Sequence, residues 1–230
     1  MGNHLKVAGS ERSRQEARGR IARRVALELK DGDVVNLGIG IPTLVAEYVN
    51  QDITVYFESE NGIVGIGSAP PPGKEDPDLV NASGQPITIL EGGACFDSAT
   101  SFGLIRGGHL DVVVLGGLQV DEEGNLANWI IPGKLVPGMG GAMDLAVGAK
   151  RVIIAMEHVG PDGRPKIVKR CDLPLTAARV VNLIVTDLAV IEVTVQGLEL
   201  RELWEGTSVE EVVAKTGADL RIPERIERFQ

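Results

Sequence analysis

Apolar residues fall into two kinds of pattern along the chain, one at helical spacing and one in short unbroken runs. An apolar stripe that recurs about once per helical turn predicts a helix from about Glu11, ending at the segment 31–33, where Gly32 suits a helix terminus. Short apolar runs bounded by glycine or polar residues predict strands buried on both faces. The predicted strands are 33–37, 53–57, 87–90, 111–115, 151–156 and 182–186, with a hairpin at 189–195.

The order of these elements indicates the class of fold. The first strand runs into a glycine-rich loop, Pro42 suits the first turn of a following helix, and a second strand ends at the turn 58–62. A strand, a crossover helix and a second strand form a βαβ unit, which implies parallel pairing. We therefore predict an α/β fold with an open, largely parallel sheet and flanking helices. A last helix is predicted from Ser208 to near Gly217.

Composition narrows the functional classes. The chain shows no linker or repeat, so we predict a flexible N-terminal tail at 1–10 and a single domain at 11–230. A net charge of −9 without a basic face argues against nucleic acid, and no apolar run is long enough for a bilayer. Because no signal-peptide pattern precedes the domain, we expect Cys95 and Cys171 to be reduced thiols in a cytoplasmic protein.

Common catalytic patterns are missing from the sequence. The three histidines lack the spacing of metal ligands, so we expect no metal, and neither a G-x-S-x-G elbow nor a Walker motif occurs. Carboxylates and glycines remain as the candidate chemistry. Three such features follow predicted strands or precede a helix: the loop 38–42, the turn 58–62 and the segment 138–141. In parallel α/β sheets, ligands bind at this edge.

Glu60 is the candidate nucleophile among these residues. A carboxylate has an ordinary pKa of ~4.3, so it is ionised near neutral pH and needs no partner base. The following Asn61-Gly62 turn would mount it rigidly, and exposed N–H groups of glycine runs would stabilise an oxyanion. The pattern alone also fits a glutamate that merely occupies a surface turn.

Ser59-Glu60-Asn61-Gly62 resembles the active-site signature of the 3-oxoacid CoA-transferase family. Further segments resemble that family in the same order along the chain. They are 36–42, 106–109, 124–134, 138–144 and 203–206. The resemblance implies a β subunit that needs an α subunit, as a heterodimer or an α2β2 heterotetramer, and the open α/β sheet that CoA-transferases share with some sugar-phosphate isomerases.

The resemblance also implies a reaction. Glu60 would attack an acyl-CoA, and a ping-pong sequence would pass through a glutamyl–CoA thioester, with CoA as a substrate and no permanently bound cofactor. Succinyl-CoA and a 3-oxoacid such as acetoacetate are the expected pair, while 3-oxoadipate, butyrate and acetate stay open. The expected substrate- or CoA-binding residues are Asn36, Gly38, Gly40, Asn61, Gly140 and Gly141. Asn36 and Gly141 would lie close to Glu60, with Gly140 beside Gly141, and the alternative for Gly140 is a structural turn. Cations that could meet the CoA phosphates by position, none of them assigned, are Arg106, Lys134, Lys150 and Arg151.

One residue departs from the family pattern. The family usually carries a neutral polar residue before the signature serine, and this chain carries Glu58. Residues i and i+2 of a strand point the same way, so Glu58 inside the pocket would raise the pKa of Glu60. We therefore expect the chain to bend at Ser59 and to direct Glu58 to solvent or to an arginine of the partner subunit.

Other functions compete with this interpretation. Gly38-x-Gly40 after a strand, with Glu58 at the end of the next, fits a dinucleotide-binding module of an oxidoreductase, although Pro42 and Thr43 break the glycine pattern. A sugar-phosphate isomerase of similar fold would use the carboxylate as a base. A scaffold subunit would not need Glu60 at all.

Overall fold

The computed structural model describes residues 2–134 and 138–230. In chain order the strands are β1 Val34–Leu37, β2 Tyr56–Ser59, β3 Ile63–Ile66, β4 Ile89–Cys95, β5 Val112–Leu115, β6 Gln119–Asp121, β7 Leu126–Ala127, β8 Arg151–Ala155, β9 Ile167–Val168, β10 Leu183–Val185, β11 Ala189–Thr194, β12 Gly197–Trp204, β13 Leu220–Arg221 and β14 Glu227–Phe229. The helices are α1 Gly2–Ala26, α2 Ser98–Arg106, α3 Ala142–Gly148 and α4 Val209–Lys215, with a 3₁₀ helix at Pro42–Tyr48.

One open sheet organises the molecule. Within the described residues it has 11 strands in the order β13-β12-β11-β10-β8-β5-β1-β2-β3-β4, and β14 also pairs with β12. Its centre, β10-β8-β5-β1-β2, is entirely parallel. Antiparallel pairs extend it on both sides, through β3 and β4 at one edge and β11 and β12 at the other. The predicted open, largely parallel α/β sheet is confirmed.

The central strands are buried on both faces, which explains their unbroken apolar runs. Successive side chains of a strand point to opposite faces, so Val113 and Leu115 pack in one core cluster with α2, α3 and α4, while Val112 and Val114 pack in the other with α1. A separate three-stranded sheet, β7-β6-β9, contributes to the first cluster.

The helices differ from the sequence expectations in extent and type. Helix α1 begins at Gly2, earlier than the start near Glu11, because a helix that is already nucleated extends at little cost. The flexibility of the tail 1–10 stays a prediction, and residue 1 lies outside the described range. The segment after Pro42 forms a 3₁₀ helix. Among the described residues, none of the helices is both long and apolar enough to cross a bilayer.

Candidate active site

A cleft opens at the carboxyl edge of the parallel strands. Its volume is about 500 Å³, and glycine-rich segments from three parts of the chain form much of its wall. Gly38 follows β1, the pair Gly116-Gly117 follows β5, and the segment 138–141 precedes α3. Glu60 lies in the wall at the end of β2. The three features that the sequence assigned to this edge therefore meet in one cleft.

A tight hairpin turn mounts Glu60. The turn 60–62 joins β2 to the antiparallel β3, and the Gly62 N–H donates to the Ser59 carbonyl at 2.9 Å. Gly62 has φ of +118°, and a Cβ placed on it would lie 2.0 Å from the Phe96 carbonyl oxygen. Only glycine fits this position without displacing backbone. The turn that carries Glu60 is therefore held by its own hydrogen bond and by close packing against the Phe96 carbonyl.

Asn36 connects two carboxyl groups at the base of the cleft. Its side-chain nitrogen donates to Glu58 Oε2 at 2.8 Å and to Glu60 Oε2 at 3.1 Å. This contact follows from the sheet, because the parallel pairing of β1 and β2 sets Asn36 opposite Glu58. Asn36 is 1% exposed and Glu60 is half-buried, so the amide holds Glu60 from the protein side and leaves its other face toward the cleft.

The expected outward direction of Glu58 was wrong. Glu58 is 4% exposed, and its Oε1 accepts a hydrogen bond from the Ser101 hydroxyl of α2 at 2.8 Å. The chain does not bend before Ser59, because Ser59 still pairs with Ile63 of β3 and its own hydroxyl accepts from the Ala82 N–H at 2.9 Å. Ser59 therefore points away, and the strand alternation turns Glu58 inward beside Glu60.

Burial raises the pKa of Glu58 above its ordinary value. Hydrogen bonds from Asn36 and Ser101 favour the ionised form and oppose this shift, while the charge of Glu60 adds to it. The site thus contains two neighbouring carboxyl groups in different surroundings. Both border the cleft, but Glu58 is buried and its pKa is raised, whereas Glu60 is half-buried.

The remaining predicted residues divide into those at the cleft and those away from it. Gly141 lies against Glu60, since a Cβ there would be 3.2 Å from Glu60 Cγ. Gly38 and Gly140 line the cleft, and the space beside Gly140 is open. Gly40 is not in the cleft wall, and its nearest side chain would be Arg18. Asn61 is exposed and donates to the Val80 carbonyl at 2.7 Å, so it ties down the neighbouring loop.

Comparisons with known proteins decide the family. The family described as Coenzyme A transferase matches residues 18–215. The chain belongs to the coenzyme A transferase family. It is 56% identical over 207 residues to the β subunit of an acetate CoA-transferase of Escherichia coli K12, covering 90% of this chain and 94% of that one. It is 51% identical over 212 residues to one subunit of a probable succinyl-CoA:3-ketoacid coenzyme A transferase of Bacillus subtilis 168, covering 92% and 98%.

Solved structures of coenzyme A transferases have the same fold. An acyl-CoA transferase apoenzyme from Escherichia coli O157:H7 superposes with a TM-score of 0.74 at 23% identity, over 93% of this chain and 43% of that chain. The family model and the sequence relatives confirm the family that the motifs predicted, and the solved structure confirms the fold. The family also gives the enzyme class of this chain, which is a coenzyme A transferase.

The cations considered for the CoA phosphates mostly have partners within the chain. Arg106 pairs with Asp144 at 2.7 Å, Lys150 with Asp111 at 2.7 Å and Arg151 with Glu28 at 2.6 Å, whereas Lys134 is exposed.

Within residues 2–134 and 138–230, no group of three histidine, cysteine or acidic side chains is arranged to hold a metal ion.

Some residues of the site escaped the sequence reasoning. Ser101 lies in α2, which was not predicted because it is only nine residues long. Asp97 before it is the signal that could have revealed the helix, since its carboxylate accepts from the Thr100 N–H as an N-cap. Asn128 lines the cleft and donates to the Gly116 carbonyl at 3.1 Å. The loop 81–83 closes the cleft beside Ser59, and no periodicity in the sequence announces it.

Proposed function

We propose that this chain is the β subunit of a CoA-transferase and that Glu60 carries CoA as a covalent thioester. The contact that carries the proposal is the 3.1 Å hydrogen bond from Asn36 to Glu60, on a turn that projects into the cleft opposite Gly141. A carboxylate fixed by a neutral donor keeps its nucleophilic charge, while an arginine partner would hold it as an ion pair.

The proposed reaction exchanges bonds in balance. A Glu60 oxygen attacks the carbonyl carbon of the acyl-CoA, and the carbon–sulfur bond breaks. CoA thiolate departs, and an acyl-glutamyl anhydride forms on the enzyme. The thiolate then attacks the Glu60 acyl carbon, and the released acid leaves as its carboxylate. A second carboxylate repeats the two steps in reverse and departs as its CoA ester. Each thioester replaces another, so the exchange needs no ATP and no net proton.

Two groups of the cleft fit the charge changes in these steps. Negative charge develops on an oxygen of Glu60 when the thiolate adds to its carbonyl. The Asn36 amide already donates to Oε2 and can keep this hydrogen bond. Gly141 lets the backbone lie beside Glu60, since a side chain there would contact Cγ, and we assign its N–H as a second donor, with Gly140 next to it.

Partner and substrates extend the same proposal. Both sequence relatives are named as single subunits of their enzymes, the acetate CoA-transferase relative as the β subunit, which supports an α subunit for this chain, in a heterodimer or an α2β2 heterotetramer. We propose succinyl-CoA and a 3-oxoacid such as acetoacetate as the substrate pair, in the cytoplasm. Acetate is the second candidate acid, because the more identical of the two relatives is named for it.

Trapping tests the covalent step. The complex of this chain with its α subunit is incubated with succinyl-CoA or acetyl-CoA, reduced with borohydride and digested, and Glu60 is examined by mass spectrometry. We expect the modification on Glu60 alone and a loss of roughly 10³-fold or more in transfer by Glu60→Gln. Glu47→Gln, which changes an exposed carboxylate, is the matched control. A fully active Glu60→Gln complex would contradict the proposal and favour a scaffold subunit.

The same experiment separates the competing enzymes. An isomerase base would leave no adduct on Glu60 yet would lose activity on substitution. A dinucleotide-binding module would need Glu58 free for a ribose, but its carboxyl group is enclosed by Asn36 and Ser101. NADH binding followed by fluorescence therefore should give no saturable signal. A panel of acetoacetate, 3-oxoadipate, butyrate and acetate with each acyl-CoA then ranks the substrates by kcat/KM.

A further inference from the structure

Glu58 and Glu60 share a single side-chain donor. The Asn36 nitrogen has two hydrogens, and it lies within hydrogen-bond distance of one oxygen from each carboxyl group. The orientation of this amide toward Glu60 therefore depends on its contact with Glu58. Asn36 is itself buried, and its Oδ1 has no hydrogen-bond partner in the described structure, so no second contact from that oxygen orients the amide.

Among the described residues, Glu60 is the one charged group that bears on Glu58. Asn36 faces Glu58 from β1 and Ser101 from α2, and both are neutral, while Glu60 faces it from the turn after β2. No cation of the described chain forms an ion pair with either carboxyl group. Two adjacent carboxyl groups without a cation do not readily ionise together, and the enclosed one retains its proton longer.

A proton on Glu58 would have a hydrogen-bond acceptor within reach. Ser101 Oγ lies 2.8 Å from Glu58 Oε1, and a serine hydroxyl can accept as well as donate. A proton on Oε1 would therefore be donated to Ser101, while Oε2 continues to accept from Asn36.

We propose that Glu58 is a positioning residue which, in its neutral form, directs the Asn36 amide onto Glu60, and that its ionisation slows CoA transfer as the pH rises. An ionised Glu58 would accept from Asn36 more strongly and would draw the amide toward itself and away from Glu60. It would also add a negative charge beside a site where an oxyanion and a thiolate form, and neighbouring like charges oppose their formation. The effect on transfer rests on the proposed function of Glu60.

The pH profile of kcat/KM tests the proposal in the assembled complex. We expect the wild-type profile to fall on the alkaline side and the Glu58→Gln profile to lose this fall, with a difference on the order of tenfold per pH unit above the midpoint. Glu47→Gln should follow the wild type, since Glu47 is exposed. Wild-type and Glu58→Gln profiles of the same shape would overturn the proposal.

A second pair of variants separates positioning from simple loss of packing. Glu58→Ala removes the side-chain contact to Asn36 and leaves only the longer one, at 3.4 Å, to the Glu58 carbonyl, so we expect kcat to fall by roughly 10- to 100-fold with little change in KM. Glu58→Gln keeps an oxygen that accepts from Asn36, so it should restore most of this kcat. Equal losses in the two variants, or a loss confined to KM, would contradict a positioning role.

One readout does not depend on activity. A carboxyl group whose pKa is raised on folding contributes stability below its unfolded pKa of ~4.3 and loses this contribution as the pH rises through its folded pKa. The Tm of Glu58→Gln relative to the wild type should therefore increase with pH from about pH 4 upward. A constant difference would overturn the proposal even if the complex transferred no CoA, and an inactive complex with the expected shift would count only against the proposed function.

Discussion

Two partly buried groups of ionisable residues in this molecule contain glutamates whose pKa values are shifted in opposite directions. In one group, Arg24 of α1 pairs with Glu28 at 2.7 Å and with Glu202 of β12, and Arg151 of β8 pairs with Glu28 at 2.6 Å. We call these four residues the arginine cluster. The other group is the carboxyl pair Glu58 and Glu60, which contacts amide and hydroxyl donors only, within the described part of the chain.

The pKa values of Glu28 and Glu58 shift in opposite directions because their hydrogen-bond partners differ, although both are buried enough for desolvation to raise them. Burial by itself raises the pKa of Glu28, but the hydrogen bonds and charges of Arg151 and Arg24 outweigh it and hold the pKa below the ordinary value. Burial also raises the pKa of Glu58, and its neutral donors do not reverse this shift. The first arrangement joins α1 with two strands through ion pairs. The second places a carboxyl group of raised pKa beside a candidate nucleophile.

Breaking the arginine cluster should give the largest change in stability. Arg24 is 8% exposed, and Arg24→Met would leave Glu202 and Glu28 partly buried without their shared cation. We expect the free energy of unfolding to fall by about 3–5 kcal/mol. Urea denaturation of the variant measures this loss. The control is Arg151→Met, whose side chain is one-third exposed and should lose about 1 kcal/mol or less. Equal losses would contradict the distinction.

The carboxyl pair depends on backbone geometry instead of charge pairing. Gly62→Ala would force a side chain at φ +118° against the Phe96 carbonyl, and we expect a loss on the order of 3 kcal/mol together with a displaced Glu60. Gly73→Ala is the control, because Gly73 also has a positive φ of +80° but has open space around it. Denaturation and transfer assays of both variants test this, and a Gly62→Ala complex as active as Gly73→Ala would show that the turn tolerates movement.

The smallest expected change in stability is that of Glu28→Gln, and its informative feature is the direction in which it varies with pH. A glutamate whose pKa is lowered on folding contributes stability above its unfolded pKa and loses it as the pH falls through the folded pKa. Glu28→Gln should therefore cost on the order of 1–2 kcal/mol at neutral pH, with the cost shrinking below about pH 4. This trend is opposite to the one expected for Glu58→Gln. Thermal melts of both variants from about pH 3 to pH 8 would contradict the comparison if the two trends had the same sign.

The sequence predicted those parts of the molecule that depend on local pattern. Apolar runs located the central strands, and the Asn61-Gly62 turn located Glu60 at a strand end. The direction of Glu58 could not be predicted in this way, because it depends on the pairing of β2 with β3 across the turn. Strand β3 itself is irregular, since Gly65 has φ of +84° and the register with β4 shifts there, so alternation is not visible in its sequence.

The arrangement of the site residues was harder to predict than their presence. Glycine-rich segments are common in turns, and only the fold distinguishes Gly141, which lies against Glu60, from Gly40, which does not line the cleft. Ser101 reaches Glu58 from a helix 43 positions away along the chain. Such contacts arise from the packing of α2 on the sheet, which no short segment of sequence specifies.

The hairpin that carries Glu60 also constrains how chains of this kind can change in length. Side chains alternate along a strand, so one residue added between Ser59 and Ile63 that shifted the register of β3 would turn its side chains to the opposite faces of the sheet. The turn would also change shape, and Glu60 would lose its contact with Asn36. The long loop 68–86 connects β3 to β4 and borders the same cleft. Its contacts with the turn, at Val80 and Ala82, hold its later part and leave the earlier part without such a restriction. Insertions that adapt the cleft to larger acids therefore have room in that loop, and the turn 60–62 stays at its present length.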